Sequence, residues 1–188
     1  MGVARIALDI DSTLHHYWDQ LQRVARERYG VELPYEEQHG WGITAMERDA
    51  VVHCVEETHS DENIAAAVPY PGAVEAVRHW HDEGHWIHIT SHRRDSASAA
   101  TARWLDAIAM PFDDLHCSFD KVTRCVELKI DVLIDDSPIN IERARDAGIV
   151  PATIVHPWNR ELVTEDGVVG ASDWPELERR LRPVLARF

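Results

Sequence analysis

Val3-Ala-Arg-Ile-Ala-Leu-Asp9-Ile-Asp11-Ser-Thr13 is the stretch that decides the fold: an apolar run running straight into a turn that carries two carboxylates. Such a run reads as a buried strand from Val3 to Ile10, with the acids at its carboxyl end. The same grammar recurs downstream. His85-Trp-Ile-His-Ile89 finishes in Thr90-Ser91, a short strand near Leu115 to Phe119 precedes Asp120-Lys121, and Asp131-Val-Leu-Ile134 ends in Asp135-Asp136-Ser137-Pro138. A last core strand, Ala152 to Val155, leads to His156-Pro157-Trp158. Between them lie helical stretches at 73–83, 96–108, 122–128 and 140–147, and the tail 175–188 also reads as helix. Strands alternating with helices of this length imply right-handed crossovers, so the expected class is α/β, a Rossmann-like parallel sheet flanked by helices.

Between the first strand and Pro69-Tyr-Pro-Gly72 the pattern is helical, with segments 17–29, 44–58 and 61–68 punctuated by Gly30, Pro34, Gly40 and Gly42. The domain reading is a core of residues 1–14 and 69–188 with a helical insertion at 15–68. A chain of 188 residues with 45% hydrophobic and 28% charged side chains is long enough for one such domain and is not of disordered composition. The net charge of −14 argues against a binder of nucleic acid polymers. Apolar runs fall short of the roughly 18–20 residues of a membrane span, and the opening strand is too short and charged for a signal peptide, so a cytoplasmic location is expected. Cys54, Cys117 and Cys125 show no metal-ligand spacing, and an odd count cannot complete a disulfide framework.

Parallel sheets bind ligands at strand carboxyl ends. Asp9, Asp11, Thr90, Ser91, Lys121, Asp135 and Asp136 all fall at such ends and would line one crevice. One of the first two acids can attack phosphorus to give an acyl-phosphate while the other moves protons. Phosphate dianions repel carboxylates, and a Mg²⁺ held by Asp9 with Asp135 or Asp136 would relieve that repulsion. Thr90 or Ser91 can donate to phosphate oxygens, and Lys121 can supply a fixed positive charge. Lys129 is the rival lysine, but it precedes the strand ending at Asp135 and so belongs at the opposite edge of the sheet.

These motifs resemble the haloacid dehalogenase-like (HAD) phosphatases, whose Asp-x-Asp-x-Thr pattern is here Asp9-Ile-Asp-Ser-Thr13, followed in order by Ile87-His-Ile-Thr90-Ser91, a lysine, and Asp131-Val-Leu-Ile-Asp135-Asp136. The resemblance covers residues 3–155. It implies that Asp9 is the nucleophile, that Asp11 is the acid/base and offers its backbone carbonyl to the metal, that Asp135 is a metal ligand, and that Asp136 supports the metal or its waters. A helical insertion between the first two motifs corresponds to a type C1 cap. With Pro69-Tyr-Pro-Gly-Ala-Val-Glu-Ala-Val77 it is similar to that of the 5'(3')-deoxyribonucleotidases and their bacterial relatives, which implies a homodimer, although no feature of the residues requires one.

The expected function is a Mg²⁺-dependent phosphomonoesterase for a small phosphorylated metabolite, with a nucleoside 5'-monophosphate as first candidate. A sugar phosphate is the alternative within the fold, and a non-catalytic binding module the alternative outside enzymology. A dehalogenase fits less well, because Asp11 has no purpose there. Several other residues have a blander reading. Ser91 can simply cap the following helix. Of the 12 histidines, His79 and His81 fall on a helix and His85 and His88 on opposite strand faces, poor geometry for a metal. His92, Arg93 and Arg94 read first as a solvated loop, and Tyr35, Trp41 and Trp158 as core or cap packing rather than a stacking platform.

Overall fold

The computed structural model describes residues 2–164 and 167–188. Among these, six parallel strands stand in the order β3-β2-β1-β4-β5-β6, with β1 spanning Arg5–Leu8, β2 Trp86–Ser91, β3 Asp114–Cys117, β4 Val132–Ile134, β5 Val150–Ile154 and β6 Val169–Ala171. The two halves of the chain wind outward from β1, which pairs Ile6 with both Ile87 and Val132. A parallel sheet covered on both faces needs strands that are apolar on both sides. Accordingly Ile6 and Leu8 enter a large cluster with Trp80, Trp104 and Trp174, while Ala7 and Leu133 enter a second cluster with Val122, Cys125 and Ala144 on the other face.

The helices are α1 (Tyr17–Tyr29), α2 (Arg48–Thr58), α3 (Asp61–Ala65), α4 (Ala73–Asp82), α5 (Ser98–Ala107), α6 (Lys121–Glu127), α7 (Pro138–Asp146) and α8 (Trp174–Leu185). α1 stops at Gly30, whose φ of +66° is the left-handed conformation that closes helices. α8 starts where the Asp173 side chain accepts from the Glu176 backbone N–H at 2.8 Å, while Glu176 reaches back to the Ser172 N–H. No helix of the described residues is long and apolar enough to cross a membrane.

Two expectations need correction. α2 begins at Arg48 rather than Thr44, because Ile43 and Met46 turn in against the insertion's own apolar cluster and Glu47 is extended. β6, which the sequence did not suggest, adds a sixth strand beyond β5. Its Gly170 lies so close to Val163 that a Cβ would sit 2.3 Å from Cγ1, so a bare backbone is required there.

The helical segment leaves the core after His15 and returns at Pro69, where these two residues form an antiparallel bridge and the Tyr70 N–H donates to the Leu14 carbonyl at 2.8 Å. Trp18, Leu21, Val24, Ala25, Leu33 and Cys54 form its own cluster, closed by Trp158 from the core. α3 belongs with the core instead, packing on α5 and burying Ile64 in the main cluster. The Arg94–Glu56 salt bridge joins the core to α2, and Arg103–Asp61 ties α5 to the start of α3.

Candidate active site

Asp9 is the first residue beyond β1 and still in sheet register, donating its N–H to the Ile134 carbonyl at 2.9 Å. Asp135 follows β4 in the same way, bonded to the Ala152 carbonyl. Neighbouring strands therefore end in neighbouring carboxylates, and Asp9, Asp135 and Asp136 each bring an oxygen within 4.8 Å of the others. Lys121, at the start of α6, sends its ammonium into this group, donating to Asp9 Oδ1 at 2.5 Å and Asp135 Oδ2 at 3.0 Å. Asn140 Nδ2 and the Ser137 N–H complete the coordination of Asp135 by donors. Lys129 is exposed, in a left-handed turn after α6, and takes no part.

Electrostatics divides the carboxylates. Burial, reinforced by Asp135 and Asp11 against the pull of Lys121, pushes Asp9 up to about 7. Asp136 is raised well above the carboxylate range by burial and by Asp9 and Asp135. Lys121 stays protonated: burial works against its charge, but Asp135 and Asp9 outweigh it.

Asp11 has a different environment. Arg93 holds it with two bonds, Nε to Oδ2 at 3.2 Å and Nη2 to Oδ1 at 2.7 Å. His15 Nε2 lies 3.0 Å from Oδ1, and His59 Nε2 reaches within 3.2 Å of Oδ2 from the end of α2. Burial alone would raise this acid, yet Arg93, His59 and His15 hold it well below the usual range. Asp11 is not one of the three carboxylates that converge, its oxygens being engaged by Arg93, His15 and His59.

Thr90 is fully buried, and its hydroxyl has no hydrogen-bond partner among the described residues. Ser91 is equally buried, but its Oγ accepts the Arg93 backbone N–H at 3.2 Å, which closes the turn after β2. That turn corrects the solvated-loop reading of His92 to Arg94. Arg93 is 1% exposed and clamps Asp11, His92 lines the cavity beside Asp9, and only Arg94 projects into solvent.

A cavity of about 320 Å³ opens over the acids. It joins Asp9, Asp11 and Asp136 to the rings of Tyr17, Trp18, Trp41 and Trp158 and to aliphatic Leu21, Ile43, Val51 and Val55. Trp158 thus has both roles, packing against Trp18 while showing an edge to the cavity, and Trp41 remains half exposed at its rim. Tyr35 is absent from the lining and bonds His156 instead. His15 and His59 were missed from sequence. The four-residue spacing of Asp11 and His15 could have suggested the first, whereas nothing local marks His59.

The family model described as "5' nucleotidase, deoxy (Pyrimidine), cytosolic type C protein" matches residues 3–187. A Chlorobaculum tepidum protein named "Putative 5'(3')-deoxyribonucleotidase" is 28% identical over 169 residues, covering 84% of this chain and 81% of its own. Among solved structures, a HAD family hydrolase from Deinococcus radiodurans R1 with bound phosphate and sodium superposes with a TM-score of 0.65 at 16% identity, covering 98% of this chain and 96% of that one. CbbY from Rhodobacter sphaeroides in complex with phosphate gives 0.61 at 15% identity, covering 94% and 96%. Identities this low speak for the fold alone, but the family match runs nearly end to end: the chain belongs to the cytosolic type C family of deoxy (pyrimidine) 5'-nucleotidases and is a nucleotidase-like phosphoric monoester hydrolase of the HAD superfamily.

Proposed function

We propose that the protein is a Mg²⁺-dependent phosphatase that hydrolyses a nucleoside 5'-monophosphate through an aspartyl-phosphate on Asp9. One observation carries the reading: a single cavity joins Asp9 and Asp136, the edge of the cluster that Lys121 ties together, to a wall of tryptophan and tyrosine rings. A ligand matched to that shape has a phosphate at one end and a flat, weakly polar ring system at the other. A sugar phosphate would leave hydroxyls against Trp18, Trp41, Ile43 and Val55, with Gln38, His59 and His92 as the few polar side chains near them.

The donor set fits a hard divalent cation. Three buried carboxylates, Asp9, Asp135 and Asp136, share Lys121 as the one ammonium bonded to them among the described residues, and burial together with their mutual repulsion raises Asp9 and Asp136. Asp9, Asp135 and Asp136 offer oxygens alone, the ligand type Mg²⁺ prefers. When bound, the ion supplies the charge that lets a phosphate dianion approach these acids.

Asp9 Oδ1 is engaged by Lys121, so Oδ2 is the oxygen left to attack phosphorus. The bond to the nucleoside oxygen breaks, the leaving oxygen takes a proton from solvent water, and a second water, giving a proton to Asp11, then cleaves the acyl-phosphate to return the Asp9 carboxylate and release phosphate. Lys121 balances charge on the transferring group, and the buried Thr90 hydroxyl, without a hydrogen-bond partner among the described residues, is the candidate donor to a phosphate oxygen. Asp11, held anionic by Arg93, is suited to take the proton of the attacking water. To donate one to the leaving alcohol it must first gain it against that clamp, so the geometry favours the base half of its role.

The test is phosphate release from nucleoside monophosphates, sugar phosphates and an aryl phosphate, with Mg²⁺ and with EDTA. Asp9→Asn is expected to lose roughly three or more orders of magnitude in turnover. Trp41→Ala is expected to raise KM for nucleotides about tenfold, the scale of one lost base–aromatic stack, while leaving sugar phosphates unaffected. Full activity in EDTA, or sugar phosphates as the best substrates, would defeat the proposal.

A further inference from the structure

The turn that carries Asp11 contains an unusual backbone. Ser12 adopts φ of +61°, the left-handed region that side chains other than glycine avoid, and it does so 4% exposed between Asp11 and Thr13. A conformation of this kind persists where surrounding groups over-determine it. Backbone bonds from Thr13 and Leu14 to the Ile10 carbonyl close the turn, and the Ser12 carbonyl itself is held by His156, whose Nε2 lies 2.7 Å from it. A carbonyl only accepts, so Nε2 carries the proton, and in a neutral ring Nδ1 is then an acceptor. Its donor is the Tyr35 hydroxyl at 2.7 Å, a residue of the helical insertion 121 positions away.

The imidazole is fixed on its other sides as well. It stacks on the Trp158 ring at 4.6 Å with planes 3° apart, and its backbone N–H donates to Asn159 Oδ1 at 2.8 Å. Trp158 Nε1 and Asn159 Nδ2 both donate to the Asp136 carbonyl, at 3.2 and 3.1 Å. The loop His156-Pro157-Trp158-Asn159 after β5 therefore grips both acidic turns, that after β1 through Ser12 and that after β4 through Asp136.

We infer that His156 is a positioning residue for phosphoryl transfer: its Nε2–H locks the Ser12 turn that aims Asp11, and its Nδ1 ties that turn to the insertion through Tyr35. The inference rests on the phosphatase reading above for its consequence, though the hydrogen-bond chain stands apart from it. Release of Ser12 would leave substrate binding largely intact, since His156 does not line the cavity, and would show in turnover. A residue that merely filled space would behave differently, with every smaller replacement costing stability alike.

The side-chain amide of glutamine places its nitrogen near the position of Nε2, and that of asparagine near Nδ1, so the two substitutions separate the bonds. His156→Ala and His156→Asn are expected to lower kcat about ten- to hundredfold, the scale of a small misalignment of reacting groups, with KM changed less than about twofold. His156→Gln is expected to recover most of kcat, and Tyr35→Phe to fall between, with thermal unfolding of the Gln and Asn variants alike. Unchanged kcat in the Asn variant, or a Gln variant no better than Asn, overturns the inference. A second readout needs no turnover: long-range ¹⁵N–¹H spectra of histidine-labelled protein at neutral pH are expected to show a slowly exchanging neutral imidazole protonated on Nε2, its signal displaced in Tyr35→Phe and absent from the His156 variants. An Nδ1-protonated or charged His156 ring overturns the chain even if the wild type proves inactive, and inactivity by itself defeats only the phosphatase reading.

Discussion

Asp9→Asn should abolish turnover and yet stabilise the metal-free protein. The magnitude follows from linkage. Asp9 sits at about 7 in the fold against an ordinary 3.8, so between those values the folded state holds a proton that the unfolded state has lost. A raised carboxyl makes stability fall as pH rises through that window, at about 1.4 kcal/mol per pH unit, for a total of roughly 4 kcal/mol by pH 8. Relaxation among the coupled acids would trim this toward about 2 kcal/mol. Asparagine has nearly the shape of the protonated acid and keeps an acceptor for Lys121, so the variant escapes the loss. Thermal melts in EDTA should give equal midpoints near pH 4 and a variant higher by about 5–10 °C at pH 8, scaling as expected for a domain of this size. Millimolar Mg²⁺ should narrow the gap, because a ligand bound by the wild-type acids stabilises only the wild type. A variant that is less stable than wild type at pH 8 in EDTA, or a gap independent of pH, would refute the charge-excess account of the site.

Arg93→Lys should be far from conservative. The guanidinium is 1% exposed and bridges both oxygens of Asp11 and the Thr101 hydroxyl, and an ammonium can satisfy only part of this, so urea denaturation should show a loss of about 3 kcal/mol. A loss below about 1 kcal/mol would contradict the buried clamp. Acid should also unfold the protein through histidines that are buried neutral. Burial holds both His88 and His156 down to about 4, so the unfolded chain binds protons first as pH falls below about 6.5. Their contribution is whole above 6.5 and drains away down to 4, by about 3 kcal/mol each. His88→Phe should flatten this part of the stability profile, and an unchanged profile would rule His88 out as its source.

The sheet was legible because its strands carry their signal locally. Ile6 to Leu8 and Val132 to Ile134 are apolar on both faces, Ile87 to Thr90 alternates apolar with polar, and each stops at a polar turn, so strand, direction and site position follow from contiguous residues. β6 lacked that signal: three residues including a glycine at a sheet edge are too short for any period to register. Lys121 was legible for a topological reason, as a lysine opening a helix after a strand. The partners of Asp11 were not. Arg93 lies 82 residues away and His59 comes from the insertion, so only folding brings them to one carboxylate. Arg93 even looked solvated, since the Ser91 turn that points it inward depends on a single side-chain-to-backbone bond.

Two aspartates separated by one residue acquire opposite electrostatics, and the cause is the backbone between them and the next turn. Asp9 is still bonded to β4 and shares its surroundings with Asp135 and Asp136, where burial and like charge act together. By Asp11 the chain has left the sheet, and the carboxylate meets Arg93, His15 and His59 beside the left-handed Ser12. Cations are therefore concentrated on Asp11, while Asp9, the acid that the proposed mechanism brings to phosphorus, remains under-neutralised. An enzyme that satisfied Asp9 with another arginine would be more stable and would have nothing left to gain from binding a cation and a phosphate dianion. The excess of negative charge around Asp9 and Asp136 is in this sense the binding energy of the site held in reserve, and it is the quantity that the Asp9→Asn melts measure.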